Sequence, residues 1–384
     1  MLTSKLPDVG VSIFAQMTAL AQETGALNLA QGFPDYDPPL ALREALARHA
    51  LAAGSHQYAP MPGLPRLREA IAAQVARLQP DAPAPDPATE VTLTAGATEA
   101  LYAVLAAVVR PSDEVIILEP AYDLYGPAVR LQGGVPRYVR LPAPSFRPDW
   151  DAVKAALSPR TRLIMVNTPH NPSGAVFEAD DWDALANLVD GTDILVLSDE
   201  VYEHLVFDGV GPRSARQHPA LWARSFVLSS FGKTYHATGW KVGYCLAPPA
   251  LSTELRRVHQ FVTFAVSTPT QHALADVLLA DTTDVHARGL AAFYQEKRDY
   301  FRQQLAGTSW ELLPVPGGYF QLAGYQQYSK AGDVAFATQL AREWGVAVVP
   351  VSAFYHDGYD PGLVRFCFAK ELPTLAAAAA RLRK

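Results

Sequence analysis

The chain has 384 residues, 49% hydrophobic and 18% charged, with a formal net charge of −6. That length exceeds one compact core and points to two domains, and the composition is that of a soluble globular protein. A mildly acidic chain without a strongly basic face is poorly suited to nucleic acid as its main partner.

The proline-rich stretch PDAPAPDPATE, 80–90, reads as a stiff surface connection. After it, strands and helices alternate. VTLT (91–94) reads as a strand, 97–110 as a helix stopped by Pro111, EVIIL (114–118) as a strand, and 122–133 as a helix interrupted by proline. VPRYVRL (135–141) is a predicted strand, followed by a short helix near Trp150, the strand 161–167 and a helix over 178–190. DILVLSD (193–199), SFVLSS (225–230) and KVGYCLA (241–247) read as further strands. Runs apolar on both faces, separated by helices, predict a mostly parallel α/β sheet covered on each side. A long helical pattern then covers about 251–304. GGYFQLAGY, the helix DVAFATQLAREWG, the strands VAVVPV and LVRFCFA and an alanine-rich final helix suggest a smaller α+β domain.

The two cysteines, Cys245 and Cys367, lie in apolar runs and offer neither a disulfide framework nor a metal cluster. The ten histidines show no ligand spacing with supporting carboxylates, so no metal is expected. The N-terminus lacks an apolar signal core and no run reaches membrane-helix length, which makes the cytoplasm the expected setting.

Gly232-Lys233-Thr234 has the ending of a nucleotide phosphate loop, but Val227 stands where G-x-x-x-x-G-K-[ST] needs its first glycine. Lys233 therefore follows a strand end, among small residues. GATEA (96–100), NTPHNPSG (167–174), DEVY (199–202) and SSFGK (229–233) all fall at or just beyond predicted strand ends. That is where an open α/β sheet places its binding site. Singly these are ordinary turns, caps and solvated charges; together and in order they mark a site.

Together with NLAQGFPDYDPP, YAPMPGLPRLREAIA, HQFVTFAVSTPTQ, PGGYF and LVRFCFA, these segments resemble the fold-type I, pyridoxal-phosphate-dependent aminotransferases. The resemblance is greatest to the class I branch that holds methionine and kynurenine aminotransferases, and it covers nearly the whole chain. It implies a large domain with a mostly parallel sheet between helices, plus a smaller α+β domain. Residues 1–40 would form an N-terminal arm and part of the small domain, 41–275 the large cofactor-binding domain and 276–384 the small C-terminal domain.

The resemblance implies pyridoxal 5'-phosphate as cofactor and a role for each matching residue. Lys233 would hold the cofactor aldehyde and, once freed, move the substrate proton. Asp199 would pair with the pyridine nitrogen, which requires a carboxylate because the cation must be favoured. Tyr202 and Asn171 would reach the ring's phenolic oxygen, and Tyr122 would stack on the ring. The backbone N–H groups of Ala97 and Thr98, with Ser230 and Lys241, would hold the phosphate. Tyr58 would reach the phosphate of a second subunit's cofactor, so a homodimer with shared active sites is implied.

Arg365 would grip the substrate α-carboxylate as a bidentate partner, since a charge inside an apolar strand is costly unless paired. Gly32 would approach the same carboxylate by its backbone. The sequence offers no convincing counterpart to the second arginine of dicarboxylate-specific relatives. Phe33, Tyr36, Tyr125, Phe264 and Phe354 instead suggest an apolar, aromatic pocket for methionine or aromatic side chains, with glutamine and kynurenine as further substrates. Two alternatives remain open: a cysteine-S-conjugate β-lyase using the same lysine, and a transcription regulator built on such a domain. The second has fewer than thirty residues ahead of NLAQGF for a DNA reader.

Overall fold

The computed structural model describes residues 3–383. The N-terminal segment, before the first predicted strand, carries three helices. These are α1 (Ile13–Thr24), capped by Ser12, then, after the short strand β1 (Leu27–Asn28), α2 (Leu40–Leu51) and α3 (Pro65–Leu78).

The alternating region follows its predicted order. It comprises β2 (Val91–Thr94), α4 (Ala97–Val108), β3 (Glu114–Glu119), α5 (Tyr125–Leu131), β4 (Val135–Arg140), α6 (Trp150–Ala155), β5 (Thr161–Asn167), α7 (Ala179–Val189) and β6 (Leu195–Asp199). The short helix α8 (Pro219–Trp222), β7 (Ser225–Ser230), the single turn α9 (Phe231–Thr234) and β8 (Gly243–Leu246) complete it. Pro127 does not interrupt α5. It falls in the first turn, where its missing N–H would have had no intrahelical partner. The strand expected over 241–247 starts late because Lys241 takes a left-handed conformation, φ 53°.

These strands form one seven-stranded sheet in the order β2-β8-β7-β6-β5-β3-β4. All neighbours are parallel except β8, which runs antiparallel to both β2 and β7. Strands β3 and β7 bury essentially every residue and β2 all four, as a sheet with helices on both faces requires.

The long helical pattern is three helices: α10 (Pro249–Val262), α11 (Thr268–Ala280) and α12 (Val285–Gln304). Phe264 at φ 67° and Pro269 break the first junction, and Asp284 at φ 57° the second. Polar residues at the breaks fit a helical composition, so periodicity alone joins them. Beyond lie β9 (Glu311–Leu312), β10 (Phe320–Gly324), α13 (Asp333–Gln339), β11 (Val346–Ala347), β12 (Val349–Pro350), β13 (Leu363–Cys367) and α14 (Leu372–Leu382). VAVVPV is thus not one strand. Its first half, β11, pairs in parallel with β1, while β12 joins the antiparallel sheet β12-β13-β10-β9. The β1–β11 pairing draws residues just after α1 onto the C-terminal part of the chain.

Candidate active site

The carboxyl ends of β5, β6 and β7, the first turn of α4, the single turn α9 and the middle of β13 enclose a cavity of about 420 Å3. Its wall includes Ala97, Thr98, Tyr122, Asn171, Asp199, Tyr202, Ser230, Lys233, Lys241, Arg365 and Gly32. Eleven residues expected at a site from sequence therefore share one cavity, although 333 positions separate Gly32 from Arg365.

One end suits an anion. Gly96 at φ 78° turns the chain into α4, so the N–H groups of its first turn stand at the positive end of a twelve-residue helix. A Cβ at Gly243 would lie 2.9 Å from the Ala97 nitrogen and 2.7 Å from the Ser229 carbonyl, so β8 passes this close only as glycine. Lys241 Nζ would meet a Cβ on Gly96 at 3.4 Å, which puts the ammonium beside the helix start. Ser230 and Thr238 line the same cavity.

At the floor, the Asp199 carboxylate is fixed by neighbours. Tyr125 Oη donates to Asp199 Oδ2 at 2.6 Å, and Asn167 Nδ2 donates to the Asp199 carbonyl at 2.8 Å. Asn167 Oδ1 in turn accepts from the backbone N–H of Asn171 at 2.8 Å. Burial pushes the Asp199 carboxyl above its usual range, while Tyr125 opposes that shift. Such a carboxylate gains most from a cationic N–H partner. Tyr125 is therefore not an apolar pocket residue: its hydroxyl belongs to the carboxylate, and its ring meets that of Tyr122 edge-on at 5.8 Å.

Lys233 Nζ donates to the Gly32 carbonyl at 3.1 Å and to Tyr319 Oη at 2.9 Å, and Tyr319 Oη donates to the same carbonyl at 2.5 Å. The ammonium also lies 5.6 Å from the ring centre of Tyr202. Burial, with no carboxylate bonded to it, lowers the Lys233 ammonium to about 8, close to where a lysine can serve as nucleophile and base at neutral pH. A Cβ on Gly32 would stand 2.9 Å from Phe320 Cζ, so this approach also requires glycine.

Arg365 is 1% exposed, so the charge carried by β13 is turned inward and not to solvent. Nη1 donates to Asn171 Oδ1 at 2.7 Å and Nη2 to the Ala30 carbonyl at 2.8 Å. The Phe320 ring stacks 3.8 Å from its guanidinium carbon, with Phe354 and Phe14 at 5.0 and 5.2 Å. Burial lowers the guanidinium to about 10, so it stays charged at neutral pH. Its Nε has no hydrogen-bond partner among the described residues, and a buried cation that also lines a cavity calls for an anion.

Four of the expected pocket aromatics lie off the cavity wall. Phe33 is 41% exposed with the Lys370 ammonium 5.0 Å from its ring. Tyr36 packs edge-on against His236 and Phe293. Phe264 packs edge-on against Tyr58, which is 85% exposed and likewise stands off the cavity within this chain. Phe354 is buried behind Arg365. The wall also includes Ser12 and Phe14 of the α1 start, Gln31, Asp123, Asn167 and Phe320, to which the motifs assign no individual role. Phe320 and Tyr319 were visible in PGGYF; nothing local marks Phe14, whose position depends on the β1–β11 pairing.

The model of the aminotransferase class I and II family matches residues 24–382. Methionine aminotransferase of Escherichia coli K12 is 51% identical over 384 aligned residues, covering 99% of this chain and 97% of its own. A kynurenine–oxoglutarate transaminase of Dictyostelium discoideum is 31% identical, covering 98% and 94%. The solved structure of N-succinyldiaminopimelate aminotransferase from Mycobacterium tuberculosis superposes with a TM-score of 0.94 at 37% identity, covering 100% of this chain and 99% of that one.

Proposed function

The chain belongs to the class I and II aminotransferases, which work with pyridoxal 5'-phosphate, and on that premise we propose that its amino donor is methionine or another apolar, sulfur-containing or aromatic amino acid, with a 2-oxo acid as acceptor. One observation carries the choice of side chain. The cations on the cavity wall are Lys233, Lys241 and Arg365, and each has a task other than reading a side-chain carboxylate. The 51% identity to a methionine aminotransferase supports the same choice.

The donor set fits the cofactor. The first turn of α4, Ser230 and Lys241 would hold the phosphate, Asp199 the ring nitrogen, Tyr202 and Asn171 Nδ2 the phenolic oxygen, and Tyr122 the ring face. When bound, the cofactor supplies an electron sink for the substrate's α-carbon. Asp199, held in place by Tyr125, keeps the ring nitrogen protonated. Arg365 fixes the α-carboxylate, and Asn171 on its Nη1 holds the guanidinium plane. With its amine free, Lys233 would rest against the Gly32 carbonyl and Tyr319 hydroxyl, a position from which it would remove and return the α-proton. Phe14 and Phe320 cover the carboxylate end and exclude water.

The exposed Tyr58–Phe264 pair fits a homodimer in which Tyr58 reaches the partner's phosphate site. Sedimentation at micromolar concentration should give twice the 41.6 kDa chain mass; a monomer that turns over substrate would remove Tyr58 from the site.

The deciding experiment is a visible spectrum of the protein with pyridoxal phosphate, before and after L-methionine without acceptor. Conversion to the aminated cofactor with release of the 2-oxo acid establishes the half-reaction. A bound-cofactor band that methionine leaves unmoved refutes the choice of donor.

A further inference from the structure

Asp123 is a second carboxylate on the cavity wall, one residue beyond Tyr122 and two before Tyr125. The first, Asp199, accepts from Tyr125 Oη at 2.6 Å and more weakly from the Val201 N–H at 3.4 Å, and its remaining capacity is assigned above to the ring nitrogen. Asp123 makes no hydrogen bond or ion pair to another side chain among the described residues, and only the backbone N–H groups of Asp123 and Leu124 support its charge from nearby, yet it borders the same cavity as Arg365, Phe14 and Gln31. Burial pushes its carboxyl upward and the charge of Arg365 pulls it down, so the two groups share one electrostatic neighbourhood.

We propose that Asp123 is a specificity-determining residue of this site: its carboxylate turns away substrates whose side chain ends in a second carboxylate and accepts a hydrogen bond from those that end in an N–H group, such as a carboxamide. The inference rests on the amino-acid transamination proposed above. The charge count gives the reason. An α-carboxylate on Arg365 cancels that guanidinium's charge, and a phosphate occupies Lys241 and the α4 terminus. Asp123 is then left without a compensating cation, in a cavity where charges are poorly screened. A further carboxylate meets repulsion from Asp123 and no free partner. A carboxamide finds an acceptor with open lone pairs. A thioether or aromatic side chain brings no charge for Asp123 to repel and costs only the water it displaces from a part-exposed carboxylate, so apolar donors remain compatible with it.

The test is Asp123→Asn in the cofactor-loaded enzyme, which keeps the shape and removes the charge. Binding of two unreactive acids, glutarate and hexanoate, is measured by calorimetry, and kcat/KM is compared for glutamate, glutamine and methionine. The expected result is a glutarate-to-hexanoate affinity ratio about tenfold higher than in the wild type, a glutamate-to-methionine kcat/KM ratio higher by a similar factor, and a glutamine-to-methionine ratio that falls. Asp123→Glu should restore refusal of glutarate. If Asp123→Asn does not fold, Asp123→Ser carries the same measurement. An unchanged or lowered glutarate-to-hexanoate ratio overturns the assignment. Failure of methionine to aminate the wild-type cofactor, with the binding ratio shifted as expected, would refute the donor choice and leave Asp123 in its role.

Discussion

The hydroxyl of Tyr125 is bonded at 2.6 Å to Oδ2 of Asp199, joining the entry of α5 to the end of β6 at the floor of the cavity. That bond favours the ionised carboxylate against the burial that disfavours it. In Tyr125→Phe, Asp199 loses this support and its carboxyl moves further up. The affinity for pyridoxal phosphate should fall about tenfold, the worth of one hydrogen bond to a charged group. Equilibrium dialysis of the cofactor measures it, and equal affinities would show that the bond does not serve cofactor binding.

Lys233 carries its own pH signature. With its ammonium at about 8, the cofactor-free protein should react with acetic anhydride at Lys233 along a curve centred near pH 8, well below an exposed lysine. The Tyr319 hydroxyl accepts from the ammonium and so favours the charged form. Tyr319→Phe should therefore lower the midpoint, read by mass spectrometry of the labelled peptide. A raised or unmoved midpoint would remove Tyr319 from the support of this amine.

Arg365→Lys keeps a charge but loses the planar fork. One ammonium cannot bond Asn171, the Ala30 carbonyl and a substrate carboxylate in the present geometry. We expect kcat/KM for methionine to fall on the order of a hundredfold, mainly through KM, with cofactor affinity retained. Steady-state kinetics and the cofactor spectrum separate the two effects.

Phe14 borders the cavity and faces the Arg365 guanidinium at 5.2 Å. Phe14→Ala should raise KM for methionine several-fold, by loss of buried apolar surface, while leaving pyridoxal phosphate binding near that of the wild type. A drop in cofactor affinity of the same size would place the ring elsewhere in the cycle.

Glu200 gives a stability test away from the substrate. It is fully buried; Oε1 accepts from Ser198 Oγ at 2.7 Å and the Ala215 N–H at 3.0 Å, and Oε2 has no partner among the described residues. Burial pushes its carboxyl up to about 8. The folded form therefore binds a proton that the unfolded chain releases near pH 4.5, so the contribution to stability is greatest below that pH and is lost as pH rises toward 8. Glu200→Gln should raise the melting temperature at pH 8.5 relative to the wild type and change it little at pH 5. Equal effects at both pH values would show that Glu200 is not protonated in the fold.

Much of the site was legible because its chemistry sits at strand ends. GATEA, SDEVY and SSFGK each follow or end an apolar strand and carry a polar or backbone group just beyond it, and a parallel sheet gathers such ends on one edge. Side-chain neighbours were less legible. The same residue type, an aromatic in a loop, is a hydrogen-bond donor to Asp199 at Tyr125, a surface partner of Tyr58 at Phe264, and a wall behind Arg365 at Phe354. Nothing in one-dimensional spacing separates those fates.

The sequence by itself determined the alternating α/β sheet, the lysine after β7, the aspartate ending β6 and the glycine that opens α4, because each is set by local pattern and short-range backbone geometry. Only the tertiary structure decided that β1 pairs with β11, which brings Gly32 to Lys233 and Phe14 to Arg365. It also decided that Asp123 shares a cavity with that arginine, 242 residues further along the chain. Contacts of that separation follow from long-range links such as the β1–β11 pairing and the Arg365–Asn171 hydrogen bond, and no short window of residues contains that information.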